Sequence, residues 1–495
     1  MFLNGKFAGV VDPVMRTLNV SPFLLPGKIN RVDIQVIGKM APEIRITNGK
    51  TGLTGDIYLE TSAQRPVLSD IWIRKADGID RTFRFQIKTE SLGKGSLNIR
   101  LDSPDGKRLY SGTKPIAPNR ETVFEGRCPE APAWSTESPK LCKLTVRAAN
   151  ADGTVVEERI LPVGFRRFES KNAHFQLNGK IIRLRVADHS TPSRVFAPGW
   201  LEQMKKRGYN SIYLHSSDIA WHDPLYELLD RKGFLIIAPI DRTLSDSKTI
   251  EAVRLVRNHP SVIGYISDAY GQLDGNGFIH NPFATDDSYM PSGANAKKIE
   301  AFMERRDALF KKADPERGYI AQATGNWKNY MRMTHHYPAN GLNLLDRMMY
   351  HHPWSRRANP KLPLHIFEAG AINLYTMDTT HPEHFWPVGT KRLPAKRLLT
   401  FEAAARYLGD EAFENRLEWD RMLFQAKLRD YRLNGVDAYC LWINSDIGGK
   451  ILNTETAGGV SDKRRRSCRY FTAPFAEIME DSWMRVNPWY YRLRA

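Results

Sequence analysis

Cysteine is scarce. The chain has four, Cys128, Cys142, Cys440 and Cys468, in 495 residues. None sits in a CxxC pair or at the Cys/His spacing of a zinc site, so no metal centre is implied. Cys128 and Cys142 flank one segment. Two free thiols is the preferred reading, with a bridge between them as the alternative in an oxidising compartment. Long apolar runs are absent too. Nothing approaches the roughly 18–20 residues of a membrane helix. The opening Met1-Phe2-Leu3-Asn4-Gly5-Lys6 lacks the apolar stretch of a signal peptide. The chain as given therefore reads as soluble and untargeted; its compartment is not legible, and export would require a longer N-terminus. There is no internal repeat and no low-complexity tract.

Acidic residues are in deficit, 55 against 72 Lys and Arg, for a net charge of +17. A basic surface that merely keeps the protein soluble is one reading. Attraction to a polyanion, nucleic acid or acidic polysaccharide, is the other. The one dense cluster, Lys463-Arg464-Arg465-Arg466, lies in a Gly/Ser/Asp-containing stretch with no nucleic-acid motif around it and reads as a solvated loop. A nucleic-acid function rests on charge alone and is set aside. What is present is a globular composition, 42% hydrophobic and 11% aromatic. The length exceeds what one core supports and calls for two or three domains.

Two rhythms divide the chain. Up to about residue 170, short runs alternate apolar and polar positions, as in Arg31–Val36, Asp70–Arg74 and Lys143–Arg147. With Gly, Pro, Asn and Asp between them, these predict β-sandwich structure. A hinge near Thr61–Pro66 separates two β modules. From about 172 onward strands alternate with helices. Strands are expected over 181–186, 211–215, 234–240, 262–267, 319–323, 332–336, 364–367 and 438–442. Helices are expected over 199–207, 224–232, 249–258, 294–312, 396–432 and 471–480. Eight strands alternating with helices predict a (β/α)8 barrel.

Glu368 stands out in that frame. It ends the apolar run Leu362-Pro363-Leu364-His365-Ile366-Phe367 at the expected seventh strand. A carboxylate there is costly unless it is paired or used, and barrels take catalytic groups from the C-terminal ends of their strands. The competing reading is a structural Glu paired with a barrel Arg. Other polar or aromatic residues fall at the same ends: Asp188 and His189 after strand one, His215 after strand two, His335, His336 and Tyr337 after strand six, and Trp442 after strand eight.

Residues 128–188 carry an ordered series: Trp134-Ser135-Thr136-Glu137-Ser138-Pro139, Gly164-Phe165-Arg166-Arg167-Phe168, Phe175-Gln176-Leu177-Asn178-Gly179-Lys180 and Arg183-Leu184-Arg185. Tyr209-Asn210, Arg257-Asn258-His259-Pro260-Ser261 and Glu368 continue it. Upstream stand Asn4-Gly5-Lys6, Leu25-Pro26-Gly27 and Gly52–Glu60. In order and spacing the series resembles family-2 glycoside hydrolases, the group of β-galactosidases, β-glucuronidases and β-mannosidases, over nearly the whole chain. The resemblance implies a multidomain β plus α/β protein. Residues 1–62 would be the last part of a sugar-binding jelly roll, shorter at its start than in the family, 63–171 an immunoglobulin-like β-sandwich, and 172–495 a (β/α)8 TIM barrel.

The resemblance also implies a retaining mechanism, with a nucleophile at strand seven and an acid/base at strand four, their carboxyl groups about 5–5.5 Å apart. Glu368 matches the nucleophile. The acid/base position departs from the family pattern: where the family has Asn-Glu, this chain has Ala269-Tyr270. Asp268 comes two residues before the Glu position, a displacement of roughly 6–7 Å along a strand. Asp268, Tyr270 and Asp274 are the candidate proton donors, and absence of an efficient donor is the remaining case. His335, His336 and Tyr337 match the place of a ring that hydrogen-bonds the nucleophile, and Trp442 that of an aromatic platform beneath the sugar. The family's Arg after strand two is not evident, and Tyr213 stands near its place. The implied partner is an oligosaccharide or polysaccharide, an anionic one suiting the charge. No cofactor, nucleic acid or membrane is implied, and a homo-oligomer is left open. Two functions follow: a divergent glycosidase, or a carbohydrate-binding protein that kept the pocket and lost catalysis.

Overall fold

Backbone N–H and C=O groups must be paired wherever the side chains around them are buried, and the chain meets that demand first with antiparallel and then with parallel ladders. The structure, a computed structural model, describes residues 1–11, 17–35, 57, 67–90, 94–116, 121–189, 199–206, 208–214, 223–241, 244–268, 293–322, 332–336, 363–369, 432–433 and 435–441. At the start, β1 (Phe2–Leu3), β2 (Lys6–Phe7) and β3 (Val32–Asp33) form a small antiparallel sheet in the order β2-β1-β3. Asn4 and Gly5 join the first two at φ 51° and 74°. That is the Asn-Gly signature of a tight hairpin. The expected hinge at Thr61–Pro66 lies outside the described residues, as does all of Gly52–Glu60 except Ile57.

The next seven strands are β4 (Val67–Ala76), β5 (Thr82–Glu90), β6 (Gly95–Asp102), β7 (Arg108–Pro115), β8 (Glu121–Arg127), β9 (Cys142–Asn150) and β10 (Val155–Val163). They make a sheet β4-β5-β8 and a second sheet β10-β9-β6-β7. Period-two alternation supplies the core: Phe83, Phe85 and Ile87 on β5, Leu97, Ile99 and Leu101 on β6, and Leu144, Val146 and Ala148 on β9 are all buried in one shared cluster. Glu157 joins the sheets at one edge, its Oε2 accepting from the backbone N–H of Leu68 at 2.6 Å. Cys128 and Cys142 lie in this core as free thiols. Burial pushes the Cys142 thiol up to about 12, so neither the thiolate nor its reactivity is available in the folded protein.

A three-stranded connector follows, β11 (Phe168–Lys171), β12 (His174–Leu177) and β13 (Lys180–Ile181). Here the structure corrects one expectation. Ile181 does not open the first strand of the α/β region. The Asn178-Gly179 turn, φ 52° and 79°, folds Lys180–Ile181 back onto Gln176–Leu177. The parallel region starts instead at Leu184, whose N–H bonds to Asp437 O at 2.7 Å.

From there strands and helices alternate: β14 (Leu184–His189), α1 (Trp200–Lys206), β15 (Ser211–Leu214), α2 (Asp223–Lys232), β16 (Leu235–Pro239), α3 (Asp246–Val256), β17 (Val262–Asp268), α4 (Gly293–Ala313), β18 (Gly318–Gln322), β19 (Arg332–His336), β20 (Leu364–Ala369) and β21 (Ala438–Leu441). The helices expected over 396–432 and 471–480 lie outside the described residues, apart from position 432. The strands form one eight-stranded sheet, β18-β17-β16-β15-β14-β21-β20-β19. Every ladder is parallel. The order is cyclic: neighbours in sequence are neighbours in space, and β14 lies beside β21. Among the described residues no ladder joins β18 to β19. All residues of β15 and β16 are buried, as expected for strands covered on both faces. α3 shows why the helices form. Ser245 caps it by accepting from Lys248 N. Its Thr249, Ala252, Val253 and Val256 are buried at the i, i+3, i+4, i+7 spacing of a single face.

Trp134, from the β8–β9 loop, and Phe175, from the connector, share a buried cluster with Leu184, Tyr213, Leu235, Ile263 and Ala438 of the parallel sheet. Trp134 is fully buried, and its Nε1 donates to Asp230 O at 2.9 Å. Trp134→Ala should cost about 3–5 kcal/mol through the cavity it leaves. Trp134→Phe, which keeps most of the packing but orphans one buried carbonyl, should cost about 1–3 kcal/mol. Urea midpoints at constant slope measure both, and a Trp134→Phe midpoint equal to that of wild type would show that the indole N–H contributes nothing.

Candidate active site

In a wholly parallel sheet all strand C-termini lie along one edge, and loops from that edge carry chemistry in α/β folds. The registers show which residues share it. Asp188 pairs with Tyr213 and His189 with Leu214, Asp268 pairs with Gln322, and His336 pairs with Ala369, which in turn faces Leu441. Asp188, His189, Asp268, His335, His336 and Glu368, taken from four separate stretches of sequence, are therefore brought to the same edge. His215, Tyr270, Asp274, Tyr337 and Trp442 lie outside the described residues.

Glu368 has a backbone setting that sequence alone did not disclose. Against β19, Phe367 is opposite His335 and Ala369 is opposite His336, so Glu368 has no partner in the register. Against β21, Ile366 faces Tyr439 and Ala369 faces Leu441, again with one residue too many on β20. An extra residue on one strand is a β-bulge, which interrupts the ladder and turns a strand locally; bulges recur at barrel rims and beside active sites. The bulge therefore coincides with the candidate nucleophile.

β17, which ends on Asp268, is held from behind by a buried polar network that sequence reading missed. Tyr265 Oη donates to Asp314 Oδ2 at 2.6 Å, and Arg317 Nη1 reaches the same oxygen at 2.6 Å. Arg317 Nε also donates to Val262 O at 2.9 Å, while the Tyr265 ring stacks on Phe310 of α4 at 5.3 Å. Burial by itself pushes the Asp314 carboxyl up. The Arg317 charge and the hydrogen bonds from Tyr265, Arg317 and Glu316 N outweigh it and hold the group below its ordinary value. Burial, reinforced by the Asp314 charge, drives the Tyr265 phenol well above its own. The sequence signal was the Asp314-Pro315-Glu316-Arg317 turn after α4, a carboxylate and a guanidinium spaced to bracket a strand start.

The Arg257–Ser261 motif lies before β17, at the end of the sheet opposite Asp268. His259 Nδ1 is 2.6 Å from Asp230 Oδ2, and Ser261 N donates to Asp230 Oδ1 at 2.9 Å. Its neighbours place it at the junction with the β module and not at the candidate site.

Comparison with known proteins agrees with this architecture. No family model matches the chain. A β-galactosidase of Enterobacter cloacae is 31% identical over 179 residues, 31% of this chain and 17% of the relative. A β-galactosidase of Aeromonas hydrophila is 25% identical over 322 residues, 57% of this chain and 31% of the relative. Among solved structures, a Bacteroides uniformis β-glucuronidase superposes with a TM-score of 0.58 at 18% identity, covering 90% of this chain and 55% of that one. The chain thus spans less than a third of the length of these two curated relatives. The likeness to the solved structures is one of fold, multidomain with extensive β structure. In sequence and in fold the chain resembles family-2 glycoside hydrolases.

The network behind β17 makes a prediction about acid. Because the folded Asp314 carboxyl is held low, it contributes stability above the ordinary unfolded value near about 3.9. That contribution is lost as pH falls from there through the lower folded value. Asp314→Asn should remove that part of the acid limb and, by leaving Arg317 without its buried partner, cost about 3–5 kcal/mol at neutral pH. Urea titrations between pH 7 and 2.5 read both, and parallel wild-type and variant curves below pH 4 would exclude the carboxyl as the titrating group.

Proposed function

We propose that the chain is a divergent retaining glycoside hydrolase acting on a β-linked glycan, with Glu368 as nucleophile and Asp268 as proton donor. The single observation that carries this reading is the β-bulge centred on Glu368 at the edge where β17 also ends. In it a carboxylate stands at the family's nucleophile position on a strand deformed at that residue. The eight parallel strands in cyclic order are read as a (β/α)8 barrel closed between β18 and β19. The domain division is read as a partial jelly roll at 1–62, an immunoglobulin-like sandwich at 63–171 and the barrel at 172–495. The names of the sequence relatives support an O-glycosidic substrate.

In this reading the Glu368 carboxylate attacks the anomeric carbon while Asp268 protonates the leaving oxygen. Asp268 then takes a proton from the water that releases the sugar. His335, His336 and Tyr337 orient and tune Glu368. Trp442 supplies a flat apolar face to the sugar ring, and Asp188, His189, His215 and Tyr270 contact hydroxyls. The charge of +17 favours an anionic glycan. A second reading is kept because of one observation: Ala269-Tyr270 stands where the family has Asn-Glu. On that reading the protein binds carbohydrate without turning it over.

Glu368→Gln should abolish hydrolysis across a panel of aryl β-glycosides while leaving the urea midpoint in place, because a nucleophile is lost and packing is not. An active Gln variant would remove Glu368 from the mechanism. Asp268→Asn should lose about 10²–10⁴-fold on substrates with poor leaving groups, retain activity on activated aryl glycosides, and recover part of its turnover with azide. A wild type that binds oligosaccharide in calorimetry but hydrolyses nothing on the panel establishes the binding protein instead. Binding of uronic or sulfated oligosaccharides should weaken as salt rises, and a salt-independent affinity would take charge out of the argument.

A further inference from the structure

β17 is irregular where it begins. Against β16, Ile236 faces Val262 but Ile237 faces Gly264, so the ladder slips by one residue at Ile263. Beyond the slip β17 pairs regularly with β16 and with β18, Gly264 to Asp268 lying opposite Gly318 to Gln322. Ahead of it the ladder is interrupted, and the strand's start is held by other contacts. Much of that grip comes from the β module, about 190 residues earlier in the chain.

The contacts converge on residues 257–262. Arg257 is almost wholly buried, at 3% exposure. It donates to Asp70 Oδ2 of β4 and, at 2.8 Å, to Ala313 O at the end of α4. Its guanidinium lies 4.3 Å from the centre of the Trp72 ring. Asn258 pairs with the backbone of β4 as a missing neighbouring strand would: its Oδ1 accepts from Ile73 N at 2.8 Å and its Nδ2 donates to Ile71 O at 2.6 Å. β4 is an edge strand of its sheet, and this edge is thereby closed. Pro260 packs so closely on Gly164 that a Cβ built there would lie 2.6 Å from the Pro260 Cβ. Arg166 Nη2, also from the β module, donates to Val262 O at 2.5 Å.

We propose that Arg257 and Asn258 are positioning residues through which the β module sets the placement of β17, and hence of Asp268 at its far end. A stiff extended strand carries a displacement at its first residue to its last. A misplacement of about 1 Å at a reacting group costs up to about 100-fold in rate. The claim about turnover rests on the glycosidase reading; the claim about β17 does not.

The test uses the full chain with Asn258→Ala, Arg257→Lys and, from the other side of the joint, Asp70→Asn. Lys at 257 keeps the charge but loses the fork and the stacking on Trp72. Amide hydrogen exchange across 262–268 should rise about tenfold or more in each variant, while 235–239 on the adjacent strand keeps wild-type protection. On aryl glycosides with poor leaving groups kcat should fall about 10–100-fold with KM within about twofold, while activated aryl glycosides are turned over nearly as by wild type. Asp70→Asn combined with Arg257→Lys should cost no more than the worse single change, because the two share one contact. Asp70→Asn alters only the β-module side of the joint, so it covers the case in which a substitution at 257 or 258 prevents folding. Equal protection of 262–268 and 235–239 in all variants overturns the proposal, as does a lowered Tm with unchanged kcat, since the joint then only stabilises. If wild type is inactive on the panel, the glycosidase reading falls and the exchange data alone decide whether the joint places β17.

Discussion

The buried carboxyl group of Asp230 is the constraint around which the chain is arranged. It is completely inaccessible to water, and such a group is costly unless donors surround it. Those donors come from a loop distant in sequence: His259 and the backbone of Ser261. The carbonyl of the same residue takes the indole N–H of Trp134. One residue at the end of α2 thus ties the β8–β9 loop of the β module, the helix layer and the start of β17 together. Removing any partner leaves a polar atom buried and unpaired, so these elements are expected to form together.

The consequence is a division of labour between the two ends of the parallel sheet. At the N-terminal end, apolar burial around Trp134 and Phe175, the pairing of His174 with Asp437 and the Arg257–Asn258 grip on β4 serve stability and placement. At the C-terminal end the ladders stop, β20 is bulged at Glu368, and polar residues gather. An end freed from packing duty can accept irregular backbone and costly carboxylates, and this is why chemistry concentrates there in folds of this type.

Much of this was legible along the chain. The change from antiparallel to parallel structure and seven of the eight parallel strands, within a few residues, followed from period and turn signals. His335, His336 and Glu368 became candidates because polar groups at the ends of apolar strands need a reason to be there, and Asp268 because it lies two residues before the family's Glu position. The start of the first parallel strand was misplaced because Ile181, β-branched and set between basic residues, suits a hairpin as well as a buried strand. Only its pairing with Gln176 distinguishes the two.

Pattern by itself thus determined most of the parallel strands and the helices between them among the described residues, and it nominated the candidate carboxylates, because alternation, capping and the cost of burying charge act within a few residues. Three things needed the folded chain. The bulge at Glu368 exists only relative to two neighbouring strands, 335–336 and 439–441. The Tyr265–Asp314–Arg317 network closes only when a strand and a helix end meet. And the Arg257-Asn258-His259-Pro260-Ser261 motif is in sequence one member of a family series, whereas in space it grips the β module at the end of the strand opposite Asp268. Register, bulges and inter-module contacts are relations between segments far apart in sequence, and no local property of either segment encodes them.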